Sequence, residues 1–490
     1  MSQNTATVAK ARAPERPAQN LSGRLGTAGI VFMVIAAAAP LTVIGGNVPL
    51  AIGLGNGAGA PVGFIIAGVV LLVFAVGFVT MTPYVKEAGA FFAYVTLGLG
   101  KRVGVGTALV ALVSYTAIQV GIYGYFGWAV NDLVTHYGGP TLPWWLYAIV
   151  AIGIVSFVGY RHIDLSAKVL GVALVLEITI VVIMDISIFV HGGADGISGT
   201  SFTPAAIGSG PIGVAILFAL TGFIGFEATA VFRDEARNPE KTIPRATYLA
   251  VIIIGLFYAI SCWALVEAAG PSHAVAVAQK TLSGGANMML DTANAYIGIV
   301  LRDVMQVLLV SSLFACVLSF HNVVARYQFV LARKHLLPQA LGRVHPKNHS
   351  PATSSVVQTI TAFVLVMIFA LFGLDPLVGV FGSMAGVSTV GMVILMLLTS
   401  IAVLVFFVRQ PATGAPRIWR TRIAPALSVL GLAGSFWLVV SNFTLVTGGS
   451  VGVSIVLGLI PVVALIAGLF IRSRVGDNTA AAAISPNSAP

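Results

Sequence analysis

Long apolar runs separated by short polar connections dominate this chain. They cover 25–53, 61–85, 103–133, 142–160, 163–191, 211–232, 245–270, 298–334, 353–373, 376–409, 422–446 and 451–472. Each approaches or exceeds the roughly 20 residues that carry a helix across a hydrocarbon core. The runs are continuously apolar and do not alternate, so they predict helices and not the strands of a membrane barrel. Between the second and third runs, 87–99 is apolar and aromatic but short and interrupted by glycine. It predicts a re-entrant or interfacial helix. The long connection 272–296 predicts helical stretches at 272–280 and 286–296.

Composition agrees with the pattern. The 490 residues are 58% hydrophobic and 9% charged, whereas soluble domains carry about 25% charged residues. The expected class is an all-α membrane protein with about twelve transmembrane helices. The net charge of +10 has a plain cause. With twelve spans both termini share a side, and all 26 Lys and Arg except Lys280 and Arg302 fall on it. The positive-inside rule makes that side cytoplasmic. The two cysteines, Cys262 and Cys316, lie in apolar spans and read as small core hydrophobes. Residues 1–22 and 474–490 read as disordered cytosolic tails. No signal-peptide pattern follows the N-terminal charges, and no Cys/His spacing suggests a metal site.

Two spans are interrupted in matching places. The first contains Ala39-Pro40-Leu41-Thr42, then Gly45-Gly46 and Pro49. Proline lacks an N–H and clashes with the preceding turn, so Pro40 frees backbone groups at mid-depth. The sixth is interrupted at Thr221-Gly222 and Gly225 and carries Glu227 inside its apolar run. Ordinary kinks are one reading of such residues. Breaks five spans apart are also the signature of an inverted-repeat transporter, where freed N–H groups hold a carboxylate and freed C=O groups an ammonium or cation.

The residues after the second break are specific. Phe223-Ile224-Gly225-Phe226-Glu227, then Arg233-Asp234-Glu235-Ala236-Arg237-Asn238-Pro239-Glu240-Lys241-Thr242-Ile243-Pro244-Arg245, resembles the sixth span and following loop of the amino acid–polyamine–organocation (APC) superfamily. Ala88-Gly89-Ala90-Phe91-Phe92-Ala93-Tyr94, Ser166-Ala167-Lys168-Val169 and Leu337-Pro338 with Val344-His345-Pro346 are similar to other stretches of those permeases. The resemblance is strong over 25–351 and rests on hydropathy beyond. It implies the LeuT-type fold. A ten-helix core would span 23–409, as two inverted five-helix repeats at about 25–191 and 211–409. Two additional helices would follow at 410–473. One departure stands out. The family commonly has a glycine-rich break in the first span that receives a substrate carboxylate, and this chain has Ala39-Pro40-Leu41-Thr42 there.

The substrate site is expected at Ala39, Pro40, Leu41, Thr42, Thr221, Gly222 and Phe223, with Tyr115 and Gln119 from a polar stripe Tyr115/Gln119/Tyr123 on the third span. Packing is the competing reading for Phe223 and for the stripe. Threonine at 221 offers no cation–π platform, which argues against a strongly cationic substrate. Glu227 and Glu177 are the proton-coupling candidates, because an ionised carboxylate in apolar surroundings is costly and a group that exchanges a proton can couple it to substrate movement. Each also reads as a structural carboxylate bonded to backbone or hydroxyl. Glu177 stands nine residues beyond Lys168, about 13 Å along the helix, where some proton-coupled relatives carry a lysine in place of bound sodium. Asp185 is expected near the outer surface. Ser319 is a weak sodium-ligand candidate, since hydroxyls of the eighth span help bind sodium in sodium-coupled relatives. The charges of 233–245 suit gate and loop pairing.

The reading that results is a secondary transporter importing an amino acid or small amine across a plasma membrane, most simply a bacterial inner membrane. Alternating access would be driven by protons. Sodium symport and amine exchange on the same fold remain open. No cofactor and no nucleic acid are implied; the partners are a small-molecule substrate, a coupling ion and the bilayer. A channel would need filter motifs or charged rings, an enzyme clustered His, Asp or Cys, and a primary pump a phosphate-binding loop. None is evident.

Overall fold

A computed structural model describes residues 25–85, 90–160, 167–231, 236–344, 351–409, 418–448 and 450–471. Its helices are α1 Thr27–Ala38, α2 Pro40–Thr42, α3 Val48–Gly53, α4 Ala60–Met81, α5 Ala90–Leu99, α6 Lys101–His136, α7 Trp144–Tyr160, α8 Ala167–His191, α9 Pro204–Ile207, α10 Ile212–Gly222 and α11 Ala228–Val231. They continue with α12 Pro239–Ala269, α13 Ala274–Leu282, α14 Met288–Ile297, α15 Ile299–Arg333, α16 Ala352–Leu371, α17 Ser383–Arg409, α18 Ala424–Ser441, α19 Phe443–Val446 and α20 Val451–Phe470. Among the described residues ten helical stretches are long and apolar enough to cross a membrane. The fourth and sixth expected spans are the shorter apolar helices α7 and α10.

Helix starts follow local chemistry. Proline opens α2, α9 and α12, where its missing N–H has no intrahelical partner to lose. The first span is not one rod. It runs α1, a break at Ala39, α2, a π-helical stretch Val43–Asn47, then α3. A π-bulge places one extra residue per turn and often marks a functional site.

α6 is the central helix, packing on α15, α17, α20 and α5. The approach of α20 to α6 depends on small residues, because a Cβ on Gly468 would stand 2.3 Å from the Cα of Gly106. Close glycine contacts of this kind let membrane helices gain dispersion contact where lipid offers no hydrophobic drive. The expected interfacial helix is α5. It is drawn into the protein by aromatic contacts, with the Tyr94 and Phe78 rings stacked at 4.5 Å and Phe91 against Phe74 and Phe78. Both expected helices of the long connection form, as α13 and α14. The entry to α1 is pinned by backbone pairing of Leu25 with the chain before α12, where the Arg237 N–H donates to the Leu25 carbonyl at 3.0 Å.

Candidate functional site

The first break follows from Pro40. The residue before a proline is driven out of the α region, and Ala39 sits at φ 47°, ψ 74°, a left-handed conformation unusual for a residue with a Cβ. The Ala38 carbonyl at the end of α1 accepts from the Tyr258 hydroxyl of α12 at 3.0 Å. On the far side Pro40 has no N–H, so Leu41 carries the first free donor of the next helical piece. The Glu177 carboxylate of α8 lies beside that N–H. Glu177 is 4% exposed and accepts from the Ser312 hydroxyl of α15 at 3.1 Å. One carboxylate thus joins the first-span break to the fifth and eighth spans.

The second break begins where α10 ends at Gly222. Residues 223–227 form successive turns, with Phe226 N–H donating to Phe223 C=O and Ala228 N–H to Gly225 C=O, each at 3.1 Å. Gly225 adopts φ 111°, a conformation that glycine tolerates and L side chains do not. Glu227, 3% exposed, folds back on this turn and accepts the Gly225 N–H at 2.9 Å. Its other oxygen accepts the Tyr115 hydroxyl of α6 at 2.5 Å. The two breaks pack together. A Cβ on Gly225 would meet Ala37 at 3.2 Å, and one on Gly222 would meet Val43 at 3.1 Å. Asn47, in the π stretch, donates to the Phe218 carbonyl of α10 at 2.8 Å and ties the half-helices of both spans.

The remaining expected residues separate. The Thr221 hydroxyl donates to the Leu217 carbonyl at 2.8 Å and is hydrogen-bonded to the Thr389 hydroxyl of α17 at 2.5 Å. Thr42 is buried beside the first break with its hydroxyl unpartnered. Phe223 packs edge-on against Tyr258 at 6.2 Å, its ring tip beside Gly68 and Gly255; that is a packing contact. Gln119 lies one turn from Tyr115 but faces α16, its carbonyl accepting from Gln358 at 2.6 Å, and Gln358 in turn accepts from Gln328 at 3.1 Å. Tyr123 is buried. Ser319 is exposed two turns along α15 from Ser312, and it is Ser312 that meets Glu177. Arg233, Asp234 and Glu235, the Ala88-Gly89 pair, Ser166, His345-Pro346, the side chain of Lys168 and both tails lie outside the described residues. Among the described residues no group of His, Cys, Asp and Glu could hold a metal.

Toward the end of the bundle that carries α13 and α14, the site is covered. Gly45 and Gly46 lie under Tyr125, Phe381 and Met289, with Cβ positions 2.5–3.1 Å from those side chains. Polar bonds hold that cover. Asp132 of α6 accepts from Asn287, at the start of α14, at 3.2 Å and from Gln306 of α15 at 2.9 Å. Arg302 donates to Gln306 at 2.6 Å and pairs with Asp303 at 2.9 Å.

Sequence reasoning missed Ser312 as a partner of Glu177, and also Tyr258, Thr389 and Asn47. Only Asn47 left a local signal, a lone amide inside an apolar run beside Gly45-Gly46.

The family model for amino acid permeases matches residues 25–469. The serine/threonine exchanger SteT of Bacillus subtilis is 24% identical over 81% of this chain and 85% of its own. The branched-chain amino acid permease BcaP of the same organism is 24% identical over 86% and 89%. The low-affinity putrescine importer PlaP of Escherichia coli is 22% identical over 71% and 76%. The match spans nearly all the described helices, including both breaks, so the chain belongs to the amino acid permease family of the APC group, multi-pass membrane transporters of LeuT-type fold and not enzymes.

Proposed function

We propose that this permease imports an amino acid or small amine by alternating access, with proton binding at Glu177 coupled to substrate movement. The supporting observation is the position of Glu177, whose carboxylate lies beside the Leu41 N–H and accepts from Ser312 at 3.1 Å. A helix N-terminus is a natural seat for a carboxylate, and here a side chain of the protein occupies it. Protonation of Glu177 weakens its charge-assisted bond from Ser312 and its attraction to the Leu41 N–H. It then frees the first-span N–H for a substrate carboxylate and loosens α2 from α8 and α15. Glu227 is the second proposed proton group, holding the Gly225 turn through its link to Tyr115.

In this reading the substrate lies between the two breaks, bounded by Ala39–Thr42 and Thr221–Gly222, with the free Thr42 hydroxyl as a contact. Tyr115 acts through Glu227, while Phe223 and Gln119 contribute packing and support. The repeats run over about 25–191 and 211–409, both termini are cytoplasmic, and the membrane is a bacterial inner membrane. Sodium is the second reading, favoured by the oxygen pair of Glu177 and Ser312 beside a helix break; it is tested by sodium substitution at fixed pH.

The deciding experiment is uptake by the purified protein in proteoliposomes of a panel of labelled amino acids and amines. It is run with and without an inward proton gradient and in sodium-free buffer. Gradient-driven accumulation of one substrate class supports the reading. Accumulation that persists after every ion gradient is collapsed and counter-substrate removed overturns it.

A further inference from the structure

Asp185 has no part in the site above. It lies on α8 eight residues beyond Glu177, about 12 Å further along the helix, and six residues before the helix ends at His191. It is not a surface residue. It is 6% exposed, and one carboxylate oxygen accepts from the Ser261 hydroxyl of α12 at 2.6 Å. The other oxygen, Oδ1, is buried with no partner. An acid inside a membrane helix with half its hydrogen-bonding capacity unused is expensive unless it has a function.

The ion pairs among the described residues do not include Asp185. The titratable groups of α12 from this stretch to its end are Tyr258, Cys262 and Glu267, all buried, and at the end of α8 the His191 ring is hydrogen-bonded to the Ser187 carbonyl at 2.7 Å. Tyr296, at the end of α14, is reached by the neighbouring Ser187, whose hydroxyl donates to its carbonyl at 2.7 Å. Arg302 of α15 is engaged with Asp303 and Gln306. Glu177 is the carboxylate further in on α8 itself. Ser261 and Tyr258 stand three residues apart on one face of α12, and Tyr258 bonds the carbonyl at the first break. Hydroxyls therefore line the direction from Asp185 to the break.

We propose that Asp185 is a second proton-binding site of the transporter, an outer station on α8 from which Glu177 is supplied. The step moves one proton from external water onto the Asp185 carboxylate, making one O–H bond and breaking one. The proposal rests on the proton-coupled reading of Glu177, and its test separates the two residues.

The test is infrared difference spectroscopy of the full chain in lipid across a pH titration with no substrate present. The probe is the proton itself, read at the protonated-carboxyl stretching band. Wild type is expected to show a titrating component that Asp185→Asn removes and Glu177→Gln leaves in place. Ser261→Ala, which keeps the carboxylate but removes its donor, should move that component in frequency and midpoint. An Asp185→Asn protein whose titration matches wild type overturns the proposal, as does a component that fails to respond to Ser261→Ala. A titration whose only component is lost in Glu177→Gln and kept in Asp185→Asn leaves the coupling reading standing and rejects this one. Two components, each lost only in its own variant, support both residues, whereas a single component that Asp185→Asn removes, with none lost in Glu177→Gln, rejects the role of Glu177 and keeps Asp185 as a proton site.

Discussion

The Tyr115 hydroxyl donates to the Glu227 carboxylate at 2.5 Å across 112 residues of sequence. It joins the central helix α6 to the turn that interrupts the sixth span. The same carboxylate accepts the Gly225 N–H, so the shape of the break depends on a side chain from another helix.

Tyr115→Phe is therefore expected to leave a buried carboxylate oxygen unpaired, which costs about 1–3 kcal/mol. Thermal unfolding of the purified protein should shift down accordingly. Tyr115→Phe combined with Glu227→Gln should cost less than the sum of the two single changes, because the residues act on one bond. Additive losses would contradict the pairing.

Gly225→Ala should damage the protein for a backbone reason. The φ of 111° excludes a side chain, and the added Cβ would press on Ala37. A strained residue of this kind costs on the order of 1–3 kcal/mol. Gly434→Ala is the control, since its Cβ would meet nothing within 4 Å. Uptake and thermal stability are expected to fall in the first variant and hold in the second.

The cover over Gly45-Gly46 depends on Asp132, which ties α6 to Asn287 and Gln306. Asp132→Asn should weaken it. Hydrogen bonds to charged groups contribute about 1.5–3 kcal/mol, so opening should rise roughly 10- to 100-fold. Met289→Cys reports this through its labelling rate with a membrane-impermeant thiol reagent. Cys262 and Cys316 are buried and give little background. An unchanged rate in the Asp132→Asn background would show that the cover is held by packing alone.

Much of this arrangement is legible in the sequence, for identifiable reasons. Helices in lipid must satisfy their own backbone, so spans announce themselves as apolar runs. Pro40, Gly222 and Gly225 mark the breaks because their backbone chemistry is local. Glu177 and Glu227 stand out because acids are rare in such runs. What fills the breaks is not local. Tyr258, Ser312, Thr389 and Phe218 come from helices distant in sequence, and a buried tyrosine or serine reads alone as packing or as a hydroxyl bonded to its own helix. The π stretch at Val43–Asn47 has no period that apolar patterning reveals. Asp185 is expected near the outer surface from its position; that α12 lies over it and Ser261 donates to its carboxylate has no local sign in the sequence.

Ser312→Ala removes the hydroxyl bond to Glu177 and leaves the Leu41 contact. It should change the pH dependence of transport more than the maximum rate, since it alters how firmly the ionised carboxylate is held. A fall in rate with an unaltered pH profile would indicate a packing role for Ser312.

The central claim is that Glu177 holds the first-span break and is released by a proton. It is tested most directly by comparing wild type and Glu177→Gln in proteoliposomes, with labelled substrate flux measured under an inward proton gradient and under exchange at equal pH. The account predicts that Glu177→Gln retains exchange but loses gradient-driven accumulation. Accumulation by Glu177→Gln at wild-type level, with the wild-type pH dependence, would contradict it.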